Sequence, residues 1–134
     1  MDECIFCKII SGEVPTPKIY EDDEVVAFLD IRPINKGHTL VIPKKHVPDF
    51  QKLDDELYIS VMKVVKRIAS VVEEKLAPKR IGLVIAGWDV PHTHVHVVPM
   101  HDYHDITSKR MLESNPVTIS EEELQEVTEL LKIS

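Results

Sequence analysis

The chain has 134 residues, 43% of them hydrophobic, and carries 16 Lys and Arg against 23 Asp and Glu. That length suits one domain with a real core, and the formal charge of −7 leaves no basic surplus to displace counterions, so no nucleic-acid partner is expected. No apolar run approaches the roughly 20 residues of a membrane span and no basic segment leads into an apolar one, so no membrane contact is expected and the expected setting is cytoplasmic.

In chain order, KIYEDDEVVAFLDI predicts two short strands around the turn Glu21-Asp22-Asp23, and GHTLVIP predicts a third. DDELYISVMKVVKRIASVVEEKL predicts a long helix. Its apolar residues Leu57, Val61, Val64, Val65, Ile68, Val71, Val72 and Leu76 recur at three- and four-residue steps. Asp54 or Asp55 can cap its start, and Pro78 helps to stop it. RIGLVIA predicts a fourth strand and HTHVHVVP a fifth. Residues 101–118 read as irregular, with His101 and His104 on the surface. SEEELQEVTELLKI then predicts a C-terminal helix, with Ser120 and Glu123 at capping-box spacing. The expected fold is α+β: an about five-stranded, mostly antiparallel sheet with one long helix and a C-terminal helix, in a single domain over residues 1–134.

HTHVHVVP carries the chemistry. Strict alternation places His92, His94 and His96 on one face of a strand and turns Thr93, Val95 and Val97 to a core, with Pro99 closing the strand. Successive imidazoles would stand about 7 Å apart. Such a face can be merely solvated, can supply two zinc ligands, or can hold a nucleophilic imidazole whose neighbours bind the anion it attacks. Cys4 and Cys7, the only cysteines, form Cys-x-x-Cys, which in a cytosolic chain suggests metal or redox chemistry rather than a structural disulfide. A thioredoxin-type pair expects a strand–helix context that the flanking sequence does not suggest.

His92-Thr93-His94-Val95-His96-Val97-Val98 resembles the signature of the histidine triad (HIT) family, His-φ-His-φ-His-φ-φ with φ apolar, Thr93 being the one polar residue. The segment CIFCKIISGEVPTPKIYEDDEVVAFLDIRPINKGHTLVIPKKH is similar to the N-terminal half of HIT nucleotide hydrolases. The resemblance runs from about Asp2 to Met100 and implies a HIT-like fold. It also implies a reaction at the α-phosphate of a nucleoside 5′-phosphoryl compound, a phosphoramidate or dinucleoside polyphosphate. His94 would be the nucleophile, forming a nucleotidyl-histidine that water then hydrolyses to a nucleoside monophosphate. Its other ring nitrogen should donate to a fixed acceptor such as a backbone carbonyl. His96 would contact the α-phosphate, and His38 matches the family's further active-site histidine.

By the same resemblance Ile5 and Phe6 pack on the base with Phe28 nearby, Asp30 holds the ribose hydroxyls and Ile31 lies beside it. A carboxylate suits a diol because both its oxygens accept hydrogen bonds. Zinc-containing relatives complete Cys-x-x-Cys with two histidines, which implies a closed structural zinc site of Cys4, Cys7, His46 and His92 here. A homodimer whose sheets join is implied too; no organic cofactor is expected.

This sequence departs from the family where GLVIAGWDVPHTH lacks the usual Asn-x-Gly. Trp88 replaces a glutamine, and Asp89 stands where a hydroxyl often meets phosphate, leaving that contact to N–H groups after Gly87. These changes bear on the leaving group. They set a second expectation against the first: a nucleotide-binding module with little catalysis. Zinc-dependent hydrolysis at His92, His94 and His96 is a third reading, weakened by the lack of an acidic base at suitable spacing.

Overall fold

The computed structural model describes residues 3–109, 118 and 120–132. Five strands, β1 (Lys18–Glu21), β2 (Val25–Leu29), β3 (Thr39–Pro43), β4 (Arg80–Val84) and β5 (Val95–Met100), form one sheet in the order β1-β2-β3-β5-β4. Every neighbouring pair is antiparallel. Helices α1 (Ile5–Ser11), α2 (Asp55–Leu76) and α3 (Glu121–Leu131) complete the α+β fold.

The β1–β2 hairpin is built on Asp22. One carboxylate oxygen accepts the N–H groups of Glu24 and Val25, each at 2.8 Å, and the other accepts the Tyr20 hydroxyl at 2.7 Å. Asp54 caps α2 by accepting the Leu57 N–H at 2.8 Å. This helix is rich in β-branched valine, which has only modest helix propensity, so packing holds it. Leu57, Val61, Val64, Val65, Ile68 and Val72 bury against one face of the sheet, with Val25, Ala27, Val41, Val95 and Val97. At about 1.5–3 kcal/mol for each buried side chain, that contact outweighs the propensity deficit several-fold. The helix stops at Ala77, which adopts a left-handed conformation (φ 46°), just before Pro78.

The opposite face of the sheet carries Val26, Phe28, Leu40 and Ile42, and α1 covers it with Phe6 and Ile9. Sequence patterning did not suggest α1. Its marks are Cys4 at the N-cap, accepting the Cys7 N–H at 3.4 Å, and Gly12 in the left-handed region (φ 84°) after its last turn.

Two further differences concern the histidine segment. His92 and His94 precede β5, and only His96 lies within it. Pro99 does not close the strand but pairs opposite Ile81 of β4. Its carbonyl accepts Asn35 Nδ2 at 2.8 Å, so its backbone edge points toward the segment before β3, beyond the point at which β3 stops pairing with β5. No amide donor is needed there.

Within the stretch read as irregular, Tyr103–Asp105 forms a 3-10 turn, and residues 110–117 lie outside the described residues. His101 and His104 are exposed, as expected. Ser120 caps α3, and the described side chains of that helix are all exposed. No helix among the described residues is long and apolar enough to cross a membrane.

Candidate active site

The sheet brings His38, which precedes β3, against His96 of β5, because Leu40 pairs with His96 in the register of these strands. His38 Nε2 lies 2.9 Å from His96 Nδ1, and the Ile34 backbone N–H points at His38 Nδ1 from 3.1 Å. A backbone N–H can only donate, so His38 Nδ1 accepts. Neutral His38 therefore carries its proton on Nε2 and donates it to His96 Nδ1, and neutral His96 must in turn carry its proton on Nε2. One backbone amide thus sets the tautomers of two imidazoles and leaves His96 presenting an N–H donor. Asp30 Oδ2 stands 3.7 Å from His38 Nε2, while its Oδ1 accepts the Arg32 N–H at 2.8 Å.

Both rings are held neutral. Burial lowers His38, with Asp30 opposing. His96 is pushed down to about 4, first by burial and then by His94 and His38, again with Asp30 opposing. The unfolded chain therefore binds more protons than the native one between about pH 6.5 and 4. The native state keeps its full advantage above pH 6.5 and loses it as pH falls toward 4. For His96 the loss is about 3 kcal/mol. Urea unfolding at pH 7 and pH 4.5 should show this, and His96→Gln should narrow the gap between the two pH values. An unchanged gap in the variant would mean that His96 does not carry the pH dependence.

His94 sits beside this pair, its ring 5.0 Å from that of His96. Its Nδ1 lies 2.7 Å from the His92 carbonyl oxygen and must donate. In the neutral ring the lone pair is then on Nε2. The backing is apolar: Phe6 packs edge-on at 4.9 Å between ring centres.

His92 points elsewhere. Its Nε2 donates to the Pro43 carbonyl at 2.8 Å, which turns the Nδ1 lone pair toward the two cysteines and His46. That nitrogen is 3.5 Å from Cys4 Sγ, 3.6 Å from Cys7 Sγ and 3.2 Å from His46 Nδ1, and Cys7 Sγ is 3.3 Å from His46 Nδ1. The ligand atoms of a tetrahedral zinc with bonds of 2.0–2.3 Å stand roughly 3.3–3.8 Å apart, so these four residues fit one. A second group that could hold a metal, Asp30, His38 and His96, fits poorly, because the Ile34 N–H commits the His38 proton to the nitrogen a metal would need. The three signature histidines form no ligand group among the described residues, and their different hydrogen bonds explain why.

Thr93, the polar residue in the signature, is 2% exposed. Its hydroxyl donates to the Val47 carbonyl at 2.6 Å and its N–H reaches the same oxygen at 2.8 Å. This tie holds the chain beside His46 to the chain beside His92. Thr93→Val keeps the shape and removes one donor, so it should cost about 1 kcal/mol, read as a shift in urea midpoint. No shift would mean that the hydroxyl contributes nothing.

Of the expected nucleotide-pocket residues, Ile5 and Ile31 are exposed whereas Phe6 and Phe28 are buried against each other, their rings 5.8 Å apart. Phe28 is 3% exposed and offers a ligand little surface. Gly87 turns at φ 68°, Asp89 is exposed, and Trp88 is 93% exposed. Sequence reasoning missed Asn35, which bridges the Pro99 carbonyl and Asp105 at 2.8 and 2.9 Å and so ties the chain after β5 to the segment before His38. It also missed the backbone of Ile34, Pro43 and Val47, which has no side-chain signature to read.

A family model described as HIT domain matches residues 11–103. An uncharacterised HIT-like protein of Methanocaldococcus jannaschii is 45% identical over 104 residues, 74% of this chain and 80% of that one. The adenosine 5′-monophosphoramidase of Schizosaccharomyces pombe is 38% identical over 101 residues, 72% of this chain and 73% of the relative. A crystal structure of a HIT family protein from Bacillus anthracis superposes with TM-score 0.80 at 36% identity, covering 97% of this chain and 95% of the other. A zinc-bound histidine triad protein from Mycobacterium smegmatis does so with TM-score 0.70 at 33% identity, covering 97% and 96%. With a family match that takes in His38, the histidine segment and the whole sheet, this chain belongs to the histidine triad family.

Proposed function

We propose that the chain is a HIT hydrolase or nucleotidyl transferase that splits a nucleoside 5′-phosphoryl compound at the α-phosphorus. The observation that carries this is the fixed tautomer of His94: Nδ1–H is committed to the His92 carbonyl, so Nε2 offers its lone pair. Attack forms a phosphorus–nitrogen bond and breaks the bond to the leaving group, which takes up a proton. Water then cleaves the phosphorus–nitrogen bond and releases the nucleoside monophosphate. Beside the reacting phosphorus, His96 donates from Nε2 to the oxygens that gain charge, its tautomer held through His38. The monophosphoramidase relative supports a phosphorus–nitrogen substrate.

Asp30 is the ribose partner in this reading, with the base laid along the exposed Ile5 and Ile31, the N–H groups after Gly87 on phosphate, and Phe6 and Phe28 as the floor beneath. Cys4, Cys7, His46 and His92 would hold a structural zinc ion, which when bound supplies a rigid cross-link and no chemistry of its own. The zinc-bound relative supports the assignment. Reduced thiols suit a cytoplasmic setting. Two copies are proposed to pair as a homodimer through the edge strand β4, where Leu83 is exposed, and the exposed Leu130 and Leu131 of α3 are further surface for a partner copy to cover. A monomeric mass in light scattering at micromolar concentration would refute the dimer.

A second reading, nucleotide binding with little turnover, draws support from the exposed Trp88–Asp89 loop that replaces the family's glutamine and hydroxyl. Assay of monophosphate release from adenosine 5′-phosphoramidate, diadenosine polyphosphates and their guanosine analogues separates the two. Release from any of them is expected. Binding without release from all of them would favour the second reading.

A further inference from the structure

The metal cluster and the nucleophile share two direct contacts. The first runs through one residue: His92 turns its Nδ1 to Cys4, Cys7 and His46, and its own main-chain carbonyl holds His94 Nδ1–H at 2.7 Å. The second is Phe6. It stands in α1 between the two cysteines, is 6% exposed, and sets its ring edge-on to both His92, at 5.8 Å, and His94, at 4.9 Å. The walls that fix the nucleophile are therefore the walls of the metal cluster.

Resting on the zinc and nucleotidyl-histidine readings above, we propose that the Cys4–Cys7–His46–His92 cluster is a redox-sensitive positioning device for His94, so that oxidation of the two thiols by a hydroperoxide releases the metal and stops nucleotidyl transfer while the nucleotide still binds. Phe6 and His92 are the positioning residues. Cys4 caps α1 and Cys7 lies in its first turn, with their sulfurs within 4.8 Å of one another. Cys7 is the more exposed of the two and is the point of entry. Its thiolate attacks a peroxide oxygen, the O–O bond breaks, and a sulfenic acid results together with an alcohol, or water when the oxidant is hydrogen peroxide. The Cys4 thiolate then forms the S–S bond and expels water. Two electrons pass from the two sulfurs to the peroxide, and two protons from solvent balance the step. A metal left with two imidazoles dissociates. The Nδ1 atoms of His46 and His92, 3.2 Å apart, then have no cation between them, and both the carbonyl that orients His94 and the seat of Phe6 shift.

The test uses the reduced, zinc-loaded full-length protein, titrated with hydrogen peroxide. Zinc release is followed with a chromogenic chelator, kcat and KM with adenosine 5′-phosphoramidate, affinity for adenosine monophosphate by calorimetry, and the His94 Nδ1–H signal by NMR. One zinc ion should leave per disulfide formed. The Nδ1–H signal should be lost, kcat should fall about a hundredfold, as displacement of a reacting group by an ångström would cause, and monophosphate affinity should change by less than about threefold. Thiol reductant and zinc should restore all four. Phe6→Ala should keep zinc, lose the His94 Nδ1–H signal and lower kcat beyond the loss of affinity that follows from its place beneath the base, and Phe6→Leu should restore the signal and most of kcat. Full kcat in the oxidised, zinc-free protein, an unchanged His94 signal, or reduced protein that carries no zinc would overturn the proposal. If the reduced, loaded protein cleaves nothing, the hydrolase reading fails instead, and the NMR signal still decides whether the cluster positions His94.

Discussion

On the proposed mechanism, His94→Ala should abolish nucleotide release, by at least about a thousandfold, while the protein stays folded. Removing a nucleophile removes the covalent route and leaves only the weaker help of the groups that bind phosphate. The fold should survive. His94 is buried, its side chain hydrogen-bonds to the His92 carbonyl and its ring packs against those of Phe6 and His96, so truncation costs on the order of 2–3 kcal/mol. His96→Ala should cost less activity, about a hundredfold, because it removes a charge-stabilising donor and not the attacking atom. Single-turnover assays with a circular dichroism control read both results. Equal losses for the two variants would leave the division of labour unsupported, and residual turnover above a tenth of wild type in His94→Ala would give the nucleophile to another group.

Stripping the proposed zinc ion should destabilise the chain by several kcal/mol. The cluster ties Cys4 and Cys7 of the N-terminal helix to His46, 39 residues beyond Cys7, and to His92, 88 residues beyond Cys4. Cross-links that close loops of this length remove conformational freedom worth about 4 kcal/mol from the unfolded chain. Without the ion, two imidazole nitrogens and two sulfurs also crowd one partly buried site, and burial together with Cys4 holds the Cys7 thiol above its ordinary pKa. In a chain of this size such a loss lowers Tm by about 10 °C or more. Prolonged chelation or Cys7→Ala should give that drop in calorimetry, and brief chelation of wild type should not, because a closed site gives up its ion slowly. A wild-type Tm indifferent to prolonged chelation would mean that no structural ion is held.

Much of this was legible in the residues. The three- and four-residue steps of α2, its Asp54 cap and the turn residue Asp22 have local causes, and they appear where the sequence puts them. The histidines were legible as a group but not as a geometry. Alternation suggested one regular strand, whereas the backbone ties of Thr93 to Val47 and of His92 to Val90 keep the segment out of the ladder until Val95. Three imidazoles that share a spacing therefore take three orientations, each set by a different partner: Pro43 for His92, the carbonyl of residue 92 for His94, and His38 for His96. Those partners are backbone atoms, or a residue 58 positions away, and nothing in the residue type announces them. Helix α1 escaped for a related reason. Seven residues give too little periodicity, and the capping roles of Cys4 and Gly12 were hidden behind the reading of Cys-x-x-Cys as chemistry alone.

The most direct measurement is to trap the covalent intermediate. Wild-type protein mixed with adenosine 5′-phosphoramidate, quenched within the first turnover and digested, should yield one peptide carrying an adenylyl group on His94, and none from His94→Ala. An adenylyl group on another residue, or steady release of monophosphate with no adduct at any time, would contradict the assignment of His94 as the nucleophile.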